Sequence, residues 1–249
     1  MRQCLFCDNS ANTREDIWPK WMVDRLRPSR VRGFIGGDQV RTHGPYVKSL
    51  CVCNTCNNGW MSDLERANVP LIGCLMQDLV LSLDPSQKSA ISLWAVKTTM
   101  TFASVNRRKH NGWFTRDERH QLRCLSLLPT LTFVWLGRFG GTGVIGSTSH
   151  TIKYEMSTGG IAHGYACTFL AGRLLLQVFT LHSPGSDEQN QRIAIPLIDG
   201  DWERFLVQIY PATSTTIQWP PQDSISGIDS LASRFSMGTE KPIPPRAKP

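Results

Sequence analysis

The chain contains no uninterrupted apolar stretch near the roughly 18 residues that a bilayer-crossing helix needs, which excludes an integral membrane protein. It also lacks an apolar leader: Met1-Arg2-Gln3-Cys4 passes straight into polar, cysteine-rich sequence, so no secretory signal is expected. Internal repeats are missing. Gly140-Gly141-Thr142-Gly143 has neither the Lys-Ser/Thr ending nor the following helix of a phosphate-binding loop, and it reads as a hairpin turn. Acidic side chains are scarce, with 20 Asp+Glu against 27 Lys+Arg and a formal net charge of +7. What is present suffices for a core: 41% of the 249 residues are hydrophobic, far above a disordered composition. The expectation is a soluble, folded, cytoplasmic protein with no membrane partner.

The positive excess is localised. Residues 1–60 carry 9 basic and 5 acidic side chains, and residues 106–124 carry 6 and 2. Residues 125–249 balance at 9 of each. Lysines and arginines displace the counterions condensed on a phosphate backbone, so a clustered excess suits a polyanionic partner. A solvated basic face is the plainer reading of the same charge.

Residues 1–60 are dense in Cys, Asn, Gly and Trp and read as a small metal-stapled module. Ser62-x-x-Glu65 matches a capping box, which predicts a helix from about Asp63. Pro70 is expected to end or bend it, with Leu71 to Leu83 continuing at helical spacing. Asp84-Pro85 predicts a second helix start, carrying Ile91, Trp94, Val96, Lys97, Met100 and Phe102 on a mostly buried helix. A third helix is expected around Arg116 to Ser126. After Pro129, β-branched and aromatic runs alternate with turn signals such as Gly-Gly, Ser-Pro-Gly and Asp-Gly, the pattern of an antiparallel sheet. The fold class expected is α+β, with a metal module first, helices next and a mainly antiparallel β-sheet last. The tail from about Ser224 is Pro- and Ser-rich and is expected to be mobile.

Cys4-Leu-Phe-Cys7 and Cys53-Asn-Thr-Cys56 are two C-x-x-C pairs separated by 45 residues. Each pair aims two thiolates at one ion, and two pairs complete a tetrahedral Zn2+ site of structural type. A redox C-x-x-C belongs after a strand in a thioredoxin-like unit, and disulfides belong to secreted chains; neither context is offered here. Cys51, Cys74, Cys124 and Cys167 have no such partner and read as small core residues.

Between and after the knuckles lie Arg14-Glu15-Asp16-Ile17-Trp18-Pro19-Lys20-Trp21 and Cys56-Asn57-Asn58-Gly59-Trp60-Met61-Ser62-Asp63-Leu64-Glu65. With the paired knuckles, these segments resemble the HNH-type, treble-clef (ββα-metal) endonucleases over residues 4–65. A weaker similarity continues through Leu93-Trp94-Ala95-Val96-Lys97. The chain is accordingly expected to divide into a zinc-bound module at 1–68, which the resemblance makes HNH-like and treble-clef, a helical segment at 69–128, an antiparallel β-rich region at 129–222 and a flexible tail at 223–249. The resemblance also implies a site for Mg2+ or Mn2+ at a scissile phosphate. Carried over by position, the acidic metal-binding role falls on Glu15, the general-base position on Asp16, and the position after the last cysteine on Asn57.

Asp16 stands where such nucleases carry histidine, and a carboxylate is the poorer base near neutrality. Asp16 can instead be a second ligand, with His43 as the nearest histidine for a proton step. Asn57, Asn58 and Gly59 read equally as cap and turn residues. Trp18, Trp21 and Trp60 read as packing around the metal module. Two functions follow. The first is a metal-dependent nuclease acting on nucleic acid, DNA favoured, whose phosphates are met by Arg25, Arg27, Arg30, Arg32, Arg107, Arg108 and Lys109. The second is a zinc-stapled module that binds nucleic acid or protein without hydrolysis.

Overall fold

The structure is a computed structural model that describes residues 2–26, 30–35, 38–40, 48–105, 113–141, 144–155, 161–182, 202, 204–212 and 214–226. Its strands are β1 (Thr13–Asp16), β2 (Arg30–Ile35), β3 (Asp38–Val40), β4 (Lys48–Val52), β5 (Leu81–Leu83), β6 (Thr132–Arg138), β7 (Val144–Glu155), β8 (Ile161–Ala171), β9 (Leu174–His182), β10 (Leu206–Tyr210) and β11 (Ile217–Trp219). The helices are α1 (Lys20–Leu26), α2 (Asn54–Cys56), α3 (Ser62–Met76), α4 (Pro85–Val105) and α5 (Arg116–Leu125), with a kinked turn over Asn57–Met61 joining α2 to α3. This is the mixed α+β architecture expected. Among the described residues, no helix is long and apolar enough to cross a membrane.

The main sheet runs β10-β6-β9-β8-β7-β2-β3, antiparallel throughout except where β2 lies parallel to β7. Strand β9 is buried along nearly its whole length, so the sheet is covered on both faces there. Two small pairs stand apart from it: β1 with β4, and β5 with β11. One hydrophobic core runs from Phe6, Trp18 and Met61 through Trp94 and Met100 of α4 to Phe169 and Val178 of the sheet. The segment 1–68 is therefore continuous with the β-rich part, because β2 and β3 extend its sheet and the core crosses the expected boundary.

Local chemistry explains the helix limits. Asp84 caps α4 as expected, its carboxylate accepting from the Gln87 N–H at 2.9 Å while the Gln87 side chain accepts from the Asp84 N–H at 2.9 Å. Thr115 and Glu118 form the reciprocal capping box that opens α5. At Ser62 the expected box does not form. The chain is already helical there, with Met61 preceding Ser62 in right-handed conformation and no side-chain cap. The cap lies upstream, where the Cys53 thiol accepts from the Cys56 N–H at 3.4 Å.

Pro70 lies inside α3 and does not end it, because burial of Ile72, Leu75 and Met76 outweighs the one backbone bond that proline removes. Nor does the helix continue to Leu83. It stops at Gln77, and Asp78 turns the chain with φ 64 before β5 begins. Asp78 is held there by Arg138, which donates from Nε at 2.9 and 3.0 Å.

Two further expectations are corrected, at the glycine run and at Cys124. The glycine run at 140 does not close a hairpin, since β6 pairs with β9 and β10 while β7 pairs with β8 and β2. Gly140 instead donates to the Ile225 carbonyl at 2.9 Å, and Arg173 donates to the Gly140 carbonyl at 2.7 Å. Where the expected tail begins, Ile225 is fully buried and bridged to Phe139, while residues 227–249 lie outside the described residues. Of the four unpaired cysteines, Cys51 and Cys167 are buried as expected and Cys74 is half-buried, but Cys124 is exposed on the outer side of α5.

Candidate functional site

The two knuckles meet because β-structure carries them to one place. Cys4 donates its N–H to the Asn9 carbonyl at 2.8 Å, closing the turn that contains Cys7, and Leu5 donates to the Cys51 carbonyl at 2.7 Å. That second bond docks the first knuckle against the end of β4, immediately before Cys53. All four ligand sulfurs of Cys4, Cys7, Cys53 and Cys56 lie within 4.8 Å of one another, and all four residues are buried. The Cys7 and Cys53 sulfurs are 3.5 Å apart, far beyond a disulfide bond and close to the about 3.8 Å edge of a tetrahedral zinc–thiolate site.

Backbone and side-chain N–H groups point at two of the sulfurs. The Cys53 N–H points at the Cys4 sulfur at 3.2 Å, and the Asn9 amide points at the Cys53 sulfur at 3.8 Å. Burial works to raise the Cys53 thiol, but the Cys56 N–H and the neighbouring thiols and amide overcome it and bring it down to about 6. Cys56 moves the other way, pushed up by burial and by the crowding of Cys7 and Cys4. Four buried sulfurs within 4.8 Å of one another form a donor set that can hold a metal ion such as zinc. Cys51 points elsewhere, with burial raising its thiol and Ser49 and Ser104 beside it.

Aromatic packing fixes this centre. Phe6, between Cys4 and Cys7, meets Trp60 edge-on at 5.0 Å, and Trp18 meets Phe169 of the sheet edge-on at 5.7 Å. Trp21 is half-buried and donates its indole N–H to Glu65 at 2.9 Å. All three tryptophans thus pack as expected.

Beside the cysteines, a cleft of about 370 Å³ is bordered by Glu15, Asp16, Asn57 and Glu65, among others. The structure brings together three of the sequence-derived site residues here. Glu15 and Asp16 are adjacent on a strand, so their side chains leave it on opposite faces. Glu15 turns inward, is 7% exposed, and meets the Lys97 ammonium of α4 at 3.3 Å. Lys97 itself is only 2% exposed. Asp16 turns outward and pairs at 3.1 Å with Lys48, its register partner across β1 and β4. Asn57 donates from Nδ2 to Thr13 Oγ1 at 3.3 Å and to the Arg14 carbonyl at 3.4 Å, bracing the helix start against β1.

Glu65, Lys97 and Lys48 are the residues that sequence reasoning did not place at this site. Burial raises the Glu65 carboxyl, Lys97 opposes that, and the charges of Glu15 and Asp16 add to the rise. A carboxyl raised on folding ionises first in the unfolded chain, so stability is lost as pH rises from its unfolded value through its native one. Glu65→Gln is therefore expected to melt a few degrees above wild type at pH 7, with the gap closing as the pH is lowered into the carboxylate range. Thermal melts at several pH values check this.

Glu15 is paired with Lys97, Asp16 is paired with Lys48 while its Oδ1 is buried without a hydrogen bond, and Glu65 accepts from the Trp21 indole. Among the described residues, the four cysteines are the only group of three or more His, Cys, Asp or Glu side chains close enough to share an ion. Of the expected phosphate-contacting residues, Arg25 is exposed at the end of α1, with its guanidinium over the Trp21 ring at 6.0 Å. Arg30 and Arg32 lie in β2, in register with Val144 and Gly146 of β7. Arg27, His43, Arg107, Arg108 and Lys109 lie outside the described residues. No protein-family model, curated protein or solved structure matches this chain.

Proposed function

We propose that the protein is a zinc-stapled module of HNH-like, treble-clef form that binds nucleic acid without hydrolysing it. The observation that carries this reading is the Lys97–Glu15 pair. The acidic group that would have to bind a catalytic ion is buried and already neutralised by a cation of the protein itself. The position where histidine would act as base holds Asp16, which is tied to Lys48. Zinc is the fitting metal for the cysteines, since a tetrahedral all-sulfur set suits it and needs no open coordination position. A reducing compartment such as the cytoplasm keeps those thiols available as ligands. The partner class follows from charge: the net +7 is concentrated near the metal module and in residues 106–124, where it can displace phosphate counterions. DNA remains the favoured partner.

A second reading is a nuclease that hydrolyses DNA phosphodiester bonds with Mg2+ or Mn2+. What favours it is that Glu15, Asp16 and Asn57 border one cleft beside the cysteine cluster, joined there by Glu65. Fluorescence anisotropy with duplex and single-stranded DNA, repeated across salt concentrations, tests the first reading. The expected result is saturable binding whose log affinity falls linearly with log salt, with the labelled strand recovered intact. Absence of binding at low salt overturns it. Divalent-dependent cleavage that disappears in Glu15→Gln/Asp16→Asn establishes the second reading instead.

A further inference from the structure

A second cavity, of about 410 Å³, lies between the first knuckle, the later part of α4 and the start of α5. It shares no lining residue with the cleft of Glu15. Its charged lining is Arg2, Arg116 and Arg119 with no Asp or Glu, and its apolar lining includes Met100, Trp113 and Phe114. We infer that this cavity binds a phosphorylated planar ring, the chemistry of a nucleoside phosphate, whether free or at the end of a strand. A site of this kind goes beyond the nucleic-acid reading above, because a free nucleotide can fill it without a strand.

Arg119 supplies the fixed cation. Its Nε donates to the Leu5 carbonyl at 2.8 Å and its Nη1 to the Phe114 carbonyl, so backbone from two segments sets the guanidinium plane. Among the described residues Nη2 has no partner, and no carboxylate forms an ion pair with the group. Burial lowers its proton affinity, Glu118 counters this, and Arg116 adds to it. A guanidinium does not give up its proton in a protein, so this half-buried charge calls for an anion. Arg116 is half-exposed and paired with Asp8, which leaves donors of its five-donor fork for a second anion. Phosphate suits such a set, since its oxygens accept paired N–H donors from guanidinium groups. The apolar lining suits a ring. Trp113 packs on Tyr165 at 5.2 Å and edge-on to His182 at 5.5 Å, so its indole is already held in place. A held aromatic side chain stacks on a base without further ordering of its own. The volume also falls in the range of small-molecule sites, roughly 300–1,000 Å³.

Isothermal titration calorimetry of the zinc-loaded full chain tests this, with AMP, adenosine, inorganic phosphate, and a short single strand with or without a 5′-phosphate. AMP is expected to bind at least about tenfold more tightly than adenosine or inorganic phosphate, each of which lacks one half of the contacts. Arg2→Gln/Arg116→Gln should weaken AMP at least about tenfold while leaving the Arg119 bonds to Leu5 and Phe114 in place. Trp113→Leu should weaken AMP and leave inorganic phosphate unchanged. Arg204→Gln, a surface variant outside the lining, should change neither. A strand that displaces AMP only when 5′-phosphorylated identifies a strand end as the occupant; a strand that never displaces it identifies the free nucleotide. Either supports the site. Three results overturn it: neither AMP nor the phosphorylated strand binds folded wild type, adenosine or phosphate alone binds as tightly as AMP, or the arginine double variant binds AMP like wild type. Should a variant fail to fold, the wild-type comparison decides on its own. Failure of duplex binding leaves the AMP result standing, so the two readings fail separately.

Discussion

Cys56→Ser is expected to abolish zinc binding at the four-cysteine cluster and, with it, most of the stability of the whole chain. Structural zinc contributes about 10–16 kcal/mol of apparent binding free energy in small metal modules at neutral pH, more than a typical domain's net stability. The effect should not stay local. The four cysteines lie in the same core as Trp18, Met61, Ile72 and Trp94, so freeing the knuckles exposes surface that α3 and α4 otherwise cover. The Cys53 sulfur caps the following helix and the Leu5–Cys51 bond docks the first knuckle, and both depend on the sulfurs holding position. Metal analysis by plasma mass spectrometry should find one zinc per wild-type chain and none in the variant. Circular dichroism should show a large fall in melting temperature, reproduced by strong chelators. A zinc-free variant that melts with wild type would remove the metal from the account.

Lys97→Met, measured without added divalent ions, should destabilise the protein by about 3–5 kcal/mol, because it strands the Glu15 carboxylate in the interior. Glu15→Gln/Lys97→Met should recover much of that loss, since two neutral side chains can replace a buried pair at little net cost. The recovery is the informative quantity. Denaturant unfolding of wild type, both single variants and the double variant gives the coupling energy directly. Additive losses would show that Lys97 and Glu15 do not act as a pair.

The readings that held were carried by neighbours in sequence. Cys4 with Cys7 and Cys53 with Cys56 are spaced so that each pair converges on its own, and β4 with the first knuckle's backbone brings them together. Asp84-Pro85 opens α4 because the cap and the first turn are contiguous. Ser62 and Glu65 show the opposite case. Their spacing fits a capping box, but the helix had already begun at Asn54, which left Glu65 free to receive the Trp21 indole. Pro70 predicts an end or a bend, and burial of its neighbours carries the helix past it.

Lys97 and Glu15 are 82 residues apart, and no local pattern joins them. The signal available was a cation among the apolar positions of a buried helix, a pattern that Lys88 of the same helix shares while donating to the Thr215 carbonyl. Likewise, Glu15-Asp16 reads as an acidic pair in sequence, yet strand geometry sends one side chain to α4 and the other to Lys48. The parallel joining of β2 to β7 and the anchoring of Gly140 by Ile225 also depend on distant partners.

The most direct test of the central claim is incubation of supercoiled plasmid with excess zinc-loaded wild-type protein in Mg2+, Mn2+ or EDTA. With Glu15 paired to Lys97, the plasmid should stay supercoiled in all three, while a parallel mobility shift shows it bound at low salt. Nicked or linear product that requires the divalent ion and vanishes in Glu15→Gln would contradict the account.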